Sequence, residues 1–168
     1  MNIQLTPIAT VKNLRIAPGD DNWGGVVSEI VLAPEVPEEA FEGIELFSHL
    51  EIIYYFDRAG ERRGDQAGER NGDQAGEGKI AHARRPRGNA DYPLMGIFAQ
   101  RNKDRPNSIG LTTVELVERR GRMIRVRYLD AIDGTPVLDI KPVFREFMAK
   151  TPIRQPEWVS DLTRDYWK

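Results

Sequence analysis

Short stretches in which apolar and polar residues alternate are the dominant pattern along this chain, and they predict β-strands. Ile3–Val11 mixes β-branched with polar residues, and Val26–Leu32 alternates until it stops at Pro34. Leu50–Phe56 and Leu94–Ala99 are denser apolar runs, of the kind that strands buried on both faces show. The chain should therefore contain several short strands.

A β-hairpin is predicted in the second half of the chain. Leu111–Val117 and Met123–Leu129 flank Arg119-Arg120-Gly121-Arg122, which suits the connecting turn. The second arm alternates apolar and basic side chains, so one of its faces should be apolar and the other mainly basic.

Helix signals are few. Pro37–Phe41 begins with Pro and acidic residues, which suit a first helical turn. Pro156–Tyr166 favours a terminal helix, because Trp158, Leu162 and Tyr166 recur at four-residue spacing.

Many short strands separated by Gly and Pro turns are typical of a closed or nearly closed β-barrel. We therefore expect a mainly β fold, a small β-barrel with short helices. The barrel domain should span residues 1–150, followed by a C-terminal tail or helix over residues 151–168.

One segment of the barrel domain, residues 59–79, is excluded from the core by its composition. Ala59–Lys79 repeats with a period of eight, as AGERRGDQ, AGERNGDQ and AGEGK, without a large apolar residue. It cannot offset the entropy of ordering itself, and a calcium-binding β-solenoid would need an inward apolar residue in each turn. We expect a mobile surface loop that is dispensable for folding.

Composition narrows the class of protein. A chain of 168 residues without Cys fits one domain and excludes disulfides, thiolate metal sites and thiol nucleophiles. Only two His, His49 and His82, argue against a His-rich metal centre. No apolar run approaches the roughly 20 residues of a membrane span, and the N-terminus lacks signal-peptide features. These features predict a soluble, cytoplasmic protein without a metal or a membrane partner.

Charge is unevenly distributed along the chain. Residues 1–57 hold two basic and ten acidic side chains, whereas residues 79–127 hold twelve basic and four acidic ones. A basic face can attract phosphate, but charge scattered over all sides fits the composition equally well. Charge alone does not decide the function.

Three polar stretches are candidates for chemistry, because each combines turn formers with charged side chains near a predicted strand end. In Asp20–Gly25, carboxylates beside Trp23 suit a ligand with an amine and a flat ring, or simply an Asx-turn with an aromatic core plug. Gly96–Leu111 delivers Arg101 to a strand end. Asp133–Pro136 is a strong turn signal whose N–H groups, carboxylate and hydroxyl suit a polar ligand, though a plain turn is the commoner meaning.

The joint occurrence of five motifs resembles the TrmO (TsaA-like) family of S-adenosylmethionine-dependent tRNA methyltransferases. The motifs are Thr6-Pro7-Ile8, Gly43–Leu50, Gly96–Arg101, Arg105–Leu111 and Asp130–Pro142. The resemblance implies a β-barrel methyltransferase that works as a homodimer, with its cofactor S-adenosylmethionine near the subunit interface. It also implies N6-methylation of a threonylcarbamoyl-modified adenosine next to the tRNA anticodon.

The resemblance further implies which residues hold the cofactor. Arg101 matches the family's cofactor-contacting arginine, and Leu111 matches a residue whose main chain lies near the cofactor. Ile132-Asp133-Gly134-Thr135 matches the family's Leu-Asp-Gly-Thr turn, and Phe56 the first residue of its Phe-His-Gln. The expected cofactor set is Asp21, Asn22, Trp23, Phe56, Asp57, Arg101, Leu111, Ile132, Asp133, Gly134 and Thr135.

Arg84–Asn89 resembles the basic stretch that precedes the Gly96 motif in the family. Arg84, Arg85 and Arg87 are therefore expected to meet tRNA phosphates, and the basic residues at 119–127 suit phosphates too. Interface aromatic residues for a homodimer are expected among Trp23, Tyr54, Tyr55, Trp158 and Trp167.

Two functions of different classes follow from these features. The first is methyl transfer to tRNA, which needs neither a metal nor a nucleophilic side chain. The second is a barrel module that binds S-adenosylmethionine or RNA without methylating tRNA, suggested by Asp57-Arg58 standing where many members have His-Gln. The sequence identifies no general base.

Overall fold

The computed structural model describes residues 2–58 and 82–168. Within these residues the strands and the α-helix are β1 Ala9–Lys12, β2 Val27–Leu32, β3 His49–Tyr55, β4 Ala83–Arg84, β5 Met95–Gly96, β6 Ile109–Arg120, β7 Met123–Arg127, β8 Pro136–Pro142 and α1 Glu157–Leu162. Short 3₁₀ turns cover Glu38–Phe41, Ile44–Leu46, Pro86–Gly88, Ile97–Ala99 and Arg145–Phe147. The repeat over 59–79 lies outside the described residues.

Six of these strands form a closed barrel in the order β1-β2-β7-β6-β3-β8. Five neighbouring pairs are antiparallel: β1–β2, β1–β8, β2–β7, β3–β8 and β6–β7. Ile30 lies opposite Ile124, and Leu50 lies opposite Pro142. The expected small β-barrel is thus confirmed.

The barrel core is built by alternation. Along β3 the side chains of Leu50, Ile52 and Tyr54 are buried, and the residues between them are partly exposed. A strand of this kind buries one face, so the expectation that Leu50–Phe56 is buried on both faces is wrong. The dense apolar run reflects a high content of β-branched and aromatic residues.

The predicted hairpin is confirmed as β6 and β7, which pair antiparallel across Gly121. Gly121 has a φ of 55°, a left-handed conformation that glycine adopts without steric cost. The first arm extends from Ile109 to Arg120, further than its apolar run indicated.

Other elements differ from their sequence patterns. Leu94–Ala99 is not a buried strand, because only Met95–Gly96 is extended before a 3₁₀ turn, and Phe98 is 78% exposed. Of the run Ile3–Val11, only residues 9–11 lie in the sheet, as part of β1. The terminal helix is confirmed but shorter, since α1 ends at Leu162.

The basic face of the hairpin is covered by carboxylates. Arg125 pairs with Glu29 at 2.9 Å and with Glu118 at 2.6 Å. Arg119 lies within 4.0 Å of carboxylate oxygens on the Glu38–Glu45 segment. Carboxylates therefore neutralise much of the charge of Arg119 and Arg125, and contact of residues 119–127 with phosphates stays a prediction.

The described chain divides into two units by its contacts. One, here called the barrel unit, comprises Met1–Tyr55 and Gly110–Lys168, and the other, the insertion unit, comprises Phe56–Ile109. The pair β4 and β5 forms a separate two-stranded sheet in the insertion unit. In the described ranges, no helix has the length and apolar character needed to cross a membrane.

Candidate functional site

The turn Ile132–Thr135 lies in the barrel unit, between β7 and β8. Its backbone N–H groups are already bonded: Asp133 N donates to the Arg15 carbonyl at 2.9 Å and Gly134 N to the Val11 carbonyl at 2.8 Å. Thr135 N donates to the carbonyl of Ile132 at 3.2 Å. The expectation that these N–H groups bind a ligand is wrong, because neighbouring carbonyl groups occupy them.

Side chains are what this turn offers to a ligand. Ile132 and Thr135 are buried, whereas Asp133 and Gly134 are half-buried. Asp133 Oδ1 accepts a hydrogen bond from the Asn13 backbone N–H at 3.2 Å, and no partner of Oδ2 is found among the described residues of the barrel unit. The carboxylate is therefore held at one oxygen and available at the other.

Asn13 fixes the backbone just before Asp133. Its side-chain amide donates to Ser28 Oγ and to the Ala131 carbonyl, each at 2.9 Å, and its Oδ1 accepts from Arg15 N at 2.9 Å. Asn13 is thus a structural residue of the site that the sequence reading missed. Nothing in the sequence around Asn13 distinguishes it from an ordinary strand-end amide.

Arg15 brings two of the predicted stretches together. Its guanidinium donates to the carbonyls of Asp21 and Asn22 at 3.0 and 2.9 Å, while its own carbonyl accepts from Asp133 N. Loop 21–23 and turn 132–135 are therefore linked through one residue. The sequence held a weak signal, because only Lys12 and Arg15 are basic among the first 57 residues.

Trp23 does not offer its ring to a ligand in the way expected. Its side chain is only 3% exposed, and the Arg15 guanidinium lies 3.6 Å from the ring centroid. The cation–π contact expected for a ligand amine is thus made by the chain's own arginine. The alternative of a core aromatic fits, although the buried Nε1 has no hydrogen-bond partner in the described part of the chain.

A partly buried polar cluster, which the sequence did not indicate, also lies in the barrel unit. Asp130 accepts hydrogen bonds from the hydroxyls of Tyr54 (2.9 Å), Thr112 and Tyr166. Burial raises the pKa of Tyr54 well above its ordinary value, and the Asp130 charge raises that pKa further. Asp130 is the first residue of the Asp130–Pro142 motif. The three hydroxyl groups that bind it come from distant segments of the chain, so no local pattern indicates the cluster.

Leu111 lies on β6 of the barrel unit and is partly exposed, with buried residues on either side. Its neighbour Gly110 packs against the Tyr54 ring so closely that a Cβ would lie 2.4 Å from a ring carbon. Glycine at this position is therefore a packing requirement, and it sets the backbone beside Leu111.

Phe56, Asp57 and Arg101 lie in the insertion unit. Phe56 N donates to the Ser108 carbonyl at 2.8 Å, and Asp57 and Arg101 are exposed. The residue before Arg101, Gln100, is buried and donates to the carbonyls of Arg84 and Met95. Arg101 therefore projects from an anchored segment.

The three arginines expected to meet tRNA have different environments in the insertion unit. Arg84 Nη1 pairs with Asp104 at 2.6 Å, so its charge is partly neutralised. Arg85 is exposed and donates to the carbonyls of Ala90 and Tyr92, which leaves its charge uncancelled. Arg87 is exposed and adopts a φ of 50°.

The two His residues are exposed. His49 lies within hydrogen-bond distance of Ser48 Oγ, at 2.9 Å, which fits the expectation that its ring bonds within the fold. His82 lies beside β4. Neither residue contributes to the cluster around Asp133 or to that around Asp130.

The sequence and the fold of this chain were compared with those of known proteins. Residues 17–148 match the tRNA-methyltransferase O N-terminal domain. A relative from Methanothermobacter thermautotrophicus, named as a probable S-adenosyl-L-methionine-binding protein, is 36% identical over 150 residues, which are 87% of this chain and 93% of that protein. The Escherichia coli tRNA (adenine(37)-N6)-methyltransferase is 37% identical over 118 residues, 67% of this chain and 43% of that enzyme.

The relatives differ in length, and the chain spans 34% of one from Archaeoglobus fulgidus. The crystal structure of TrmO from Pseudomonas aeruginosa has the same fold, with a TM-score of 0.66 at 24% identity over 92% of this chain and 62% of that one. From the matched domain and the near full-length relative, we conclude that the chain belongs to the family of tRNA-methyltransferase O N-terminal domains.

Proposed function

We propose that the chain is an S-adenosylmethionine-dependent methyltransferase that modifies N6 of a threonylcarbamoyl-adenosine next to the tRNA anticodon. The observation that carries the proposal is the Asp133 carboxylate, held at Oδ1 by Asn13 and available at Oδ2. It lies in the motif by which the chain resembles the family. The relatives named as methyltransferases support the same reaction.

The residues present fit S-adenosylmethionine by their chemistry. The cofactor carries an amine and ribose hydroxyls, which need acceptors such as Asp133. Its carboxylate suits a guanidinium, and the resemblance to the family makes Arg101, in the insertion unit, a candidate that is tested on its own. Within the barrel unit, the orphaned Trp23 Nε1 is a further donor without a partner. Trp23 then contributes through its edge, since Arg15 covers its face.

When bound, S-adenosylmethionine supplies an electrophilic methyl group on a sulfonium sulfur. Held through Asp133, it would supply this methyl group to N6, and the N6 proton would pass to solvent or a base. This chain's residues need only bind and orient the reactants, because in-line displacement depends strongly on alignment. Asp133 has this role at the barrel end.

The first experiment is methyl transfer to bulk tRNA from cells that lack this modification. Incubation with S-adenosylmethionine should add one methyl group to threonylcarbamoyl-adenosine, detected by mass spectrometry of the digested nucleosides. Methyl transfer to a different nucleoside would change the proposed acceptor, and the absence of any transfer would contradict the proposed activity.

The second experiment tests the site through ligand affinity. Asp133→Asn keeps an oxygen for Asn13 but removes the charge, so it should weaken binding of S-adenosylmethionine about ten- to a hundredfold, the loss typical of a charge-assisted hydrogen bond. Arg101→Ala should weaken binding to a similar degree. Asp139→Asn is the matched control, because Asp139 pairs with Lys141 on β8. Calorimetric titration gives the affinities, and a melting curve separates them from lost stability.

A second candidate is an S-adenosylmethionine-binding module without methyl transfer. One observation favours it: the relative from Methanothermobacter thermautotrophicus, which this chain spans almost completely, is named only as a probable S-adenosyl-L-methionine-binding protein. Tight cofactor binding without methyl transfer to any tRNA would select this candidate over the first.

A further inference from the structure

The last residues of the chain contact the loop at 21–24, although they lie beyond the matched family region, which ends at residue 148. Asn22 N donates to the Asp165 carbonyl at 3.1 Å, and Trp23 N donates to the Tyr166 carbonyl at 2.8 Å. These contacts lie within the barrel unit and join two segments more than 140 residues apart in the sequence.

The C-terminal residues are themselves anchored. The Tyr166 hydroxyl donates to Asp130 Oδ2, in the cluster that also holds Tyr54. The Trp167 ring packs edge-on against Tyr128, with 5.9 Å between the ring centroids. Residues 165–167 therefore connect the 21–24 loop to the Asp130 cluster, and we call them the C-terminal strap.

The loop depends on contacts from both sides. Arg15 binds its carbonyl groups at Asp21 and Asn22, and the strap binds its N–H groups at Asn22 and Trp23. Asn22 has a φ of 64°, a left-handed conformation that asparagine adopts more readily than most residues with a side chain. Main-chain hydrogen bonds from the strap fix the loop at this residue and the next.

We propose that the C-terminal strap positions the 21–24 loop for binding of S-adenosylmethionine. The inference rests on the proposed function, because it takes the loop as one wall of that site. Asp165, Tyr166 and Trp167 act as positioning residues through the loop and need not touch the ligand. Loss of the strap should therefore weaken ligand binding while the barrel stays folded.

Two adjacent glycines provide a matched test. A Cβ on Gly24 would lie 2.0 Å from the Trp167 carbonyl oxygen and 2.7 Å from its carbon, so Gly24→Ala must displace the strap. A Cβ on Gly25 would meet nothing within 4 Å, so Gly25→Ala is the control. Neither position has the left-handed backbone that would strain an alanine.

The first readout is amide hydrogen exchange without ligand. In Gly24→Ala the amides of Asn22 and Trp23 should exchange about tenfold faster than in the parent, because each loses its acceptor. The second readout is calorimetric affinity for S-adenosylmethionine and its demethylated product, which should fall about three- to tenfold, on the scale of one or two neutral hydrogen bonds. Gly25→Ala should match the parent in both.

A second variant keeps the test decisive if Gly24→Ala fails to fold. Tyr166→Phe retains the ring but removes the hydroxyl bonded to Asp130, and it should show the same two changes at smaller size. Arg164→Ala is its control, because that exposed side chain pairs with Asp161 on α1 and not with the loop.

The outcomes separate the strap from the proposed function. Faster exchange together with weaker binding supports the inference. Unchanged exchange overturns it, and so does faster exchange with parental affinity. A parent protein that binds neither ligand overturns the proposed function, and with it the strap's role toward that ligand, while the exchange data still decide whether the strap holds the loop.

Discussion

At the scale of single residues, the features that organise the barrel unit are polar side chains with fixed partners. Asn13 and Arg15 hold Asp133 through main-chain contacts, and the carboxylate of Asp130 gathers three hydroxyl groups. Asp130 is half-buried, and a carboxylate withdrawn from water is costly unless its oxygens are hydrogen-bonded. Tyr54 belongs to this cluster and is only 1% exposed, so its ionisation should affect the stability of the fold.

Alkaline pH should destabilise the fold through Tyr54. Burial, with the Asp130 charge added, raises the pKa of its phenol above the value of about 10 that it has in the unfolded chain. The native state then holds this proton more tightly, so the free energy of unfolding keeps its full value below about pH 10 and falls above it. Denaturant unfolding at several pH values measures this slope.

Two variants on β3 test whether Tyr54 causes the alkaline fall in the free energy of unfolding. Tyr54→Phe should flatten the alkaline slope and lower stability at neutral pH by about 1 kcal/mol, the usual value of one hydrogen bond. Tyr55→Phe, at the exposed neighbouring position, should keep the parental slope. An unchanged slope in Tyr54→Phe would assign the alkaline transition to another group.

At the scale of elements, local patterns predicted the hairpin well because both its arms and its turn are adjacent in sequence. β6 and β7 are connected by Gly121, whose neighbours carry the turn signal. The prediction of a strand over Leu94–Ala99 was wrong, because composition alone does not separate a strand from a 3₁₀ turn in so short a run. Tertiary contacts, such as those of buried Gln100, decide the backbone there.

The candidate site was predictable only in part for the same reason. The turn 132–135 and the loop 21–23 were visible as local turn signals with charged side chains. Arg15 joins them through a contact with Asp133, 118 residues away in the sequence, and Tyr166 joins the loop to Asp130; no local pattern encodes such separations. The prediction that the N–H groups of the turn bind a ligand was wrong, because two of them donate to the carbonyls of Val11 and Arg15, in and just after β1.

The basic segment over 84–87 should bind tRNA through Arg85 and Arg87. Replacing both by Ala should weaken tRNA affinity and flatten its salt dependence by about one unit of slope for each lost phosphate contact. Arg84 is left intact, because its removal would strand Asp104. Binding measured at several salt concentrations gives the slope, and affinity for S-adenosylmethionine should stay unchanged.

Arg120→Ala is the control for this prediction. Arg120 is exposed, lies in the barrel unit and pairs with Glu118 at 2.8 Å, so its loss should leave the salt slope close to the parent's. Equal slopes for the parent and the double variant would mean that the 84–87 segment does not contact phosphate.

At the scale of the whole molecule, the charge asymmetry along the sequence is largely cancelled in the barrel unit. Acidic residues of the first half, such as Glu29 and Glu42, pair with arginines of the hairpin. Such exposed pairs contribute little stability individually, but they reduce the net positive charge of the hairpin that the linear count indicated. The placement of opposite charges on facing strands is a tertiary property, which a count along the chain does not contain.

Exposed apolar side chains lie beside the site in the same unit. Leu14 is 100% and Ile16 71% exposed, on either side of Arg15. Trp23 and Tyr54, expected as interface residues, are buried and unavailable for that role, whereas Tyr55 and Trp167 are partly exposed. An interface between two copies would cover apolar side chains of this kind.

We therefore expect a homodimer that forms through the Leu14 segment. Light scattering at micromolar concentration should give twice the chain mass of 19.1 kDa. Leu14→Asp should shift the mass toward the monomer, because the interface would have to bury an unpaired charge, and should weaken S-adenosylmethionine binding through the adjacent Arg15. Leu46→Asp, at another highly exposed leucine on the 3₁₀ turn before β3, should remain dimeric. A monomeric parent would contradict the dimer, and a dimeric Leu14→Asp would move the interface elsewhere on the surface.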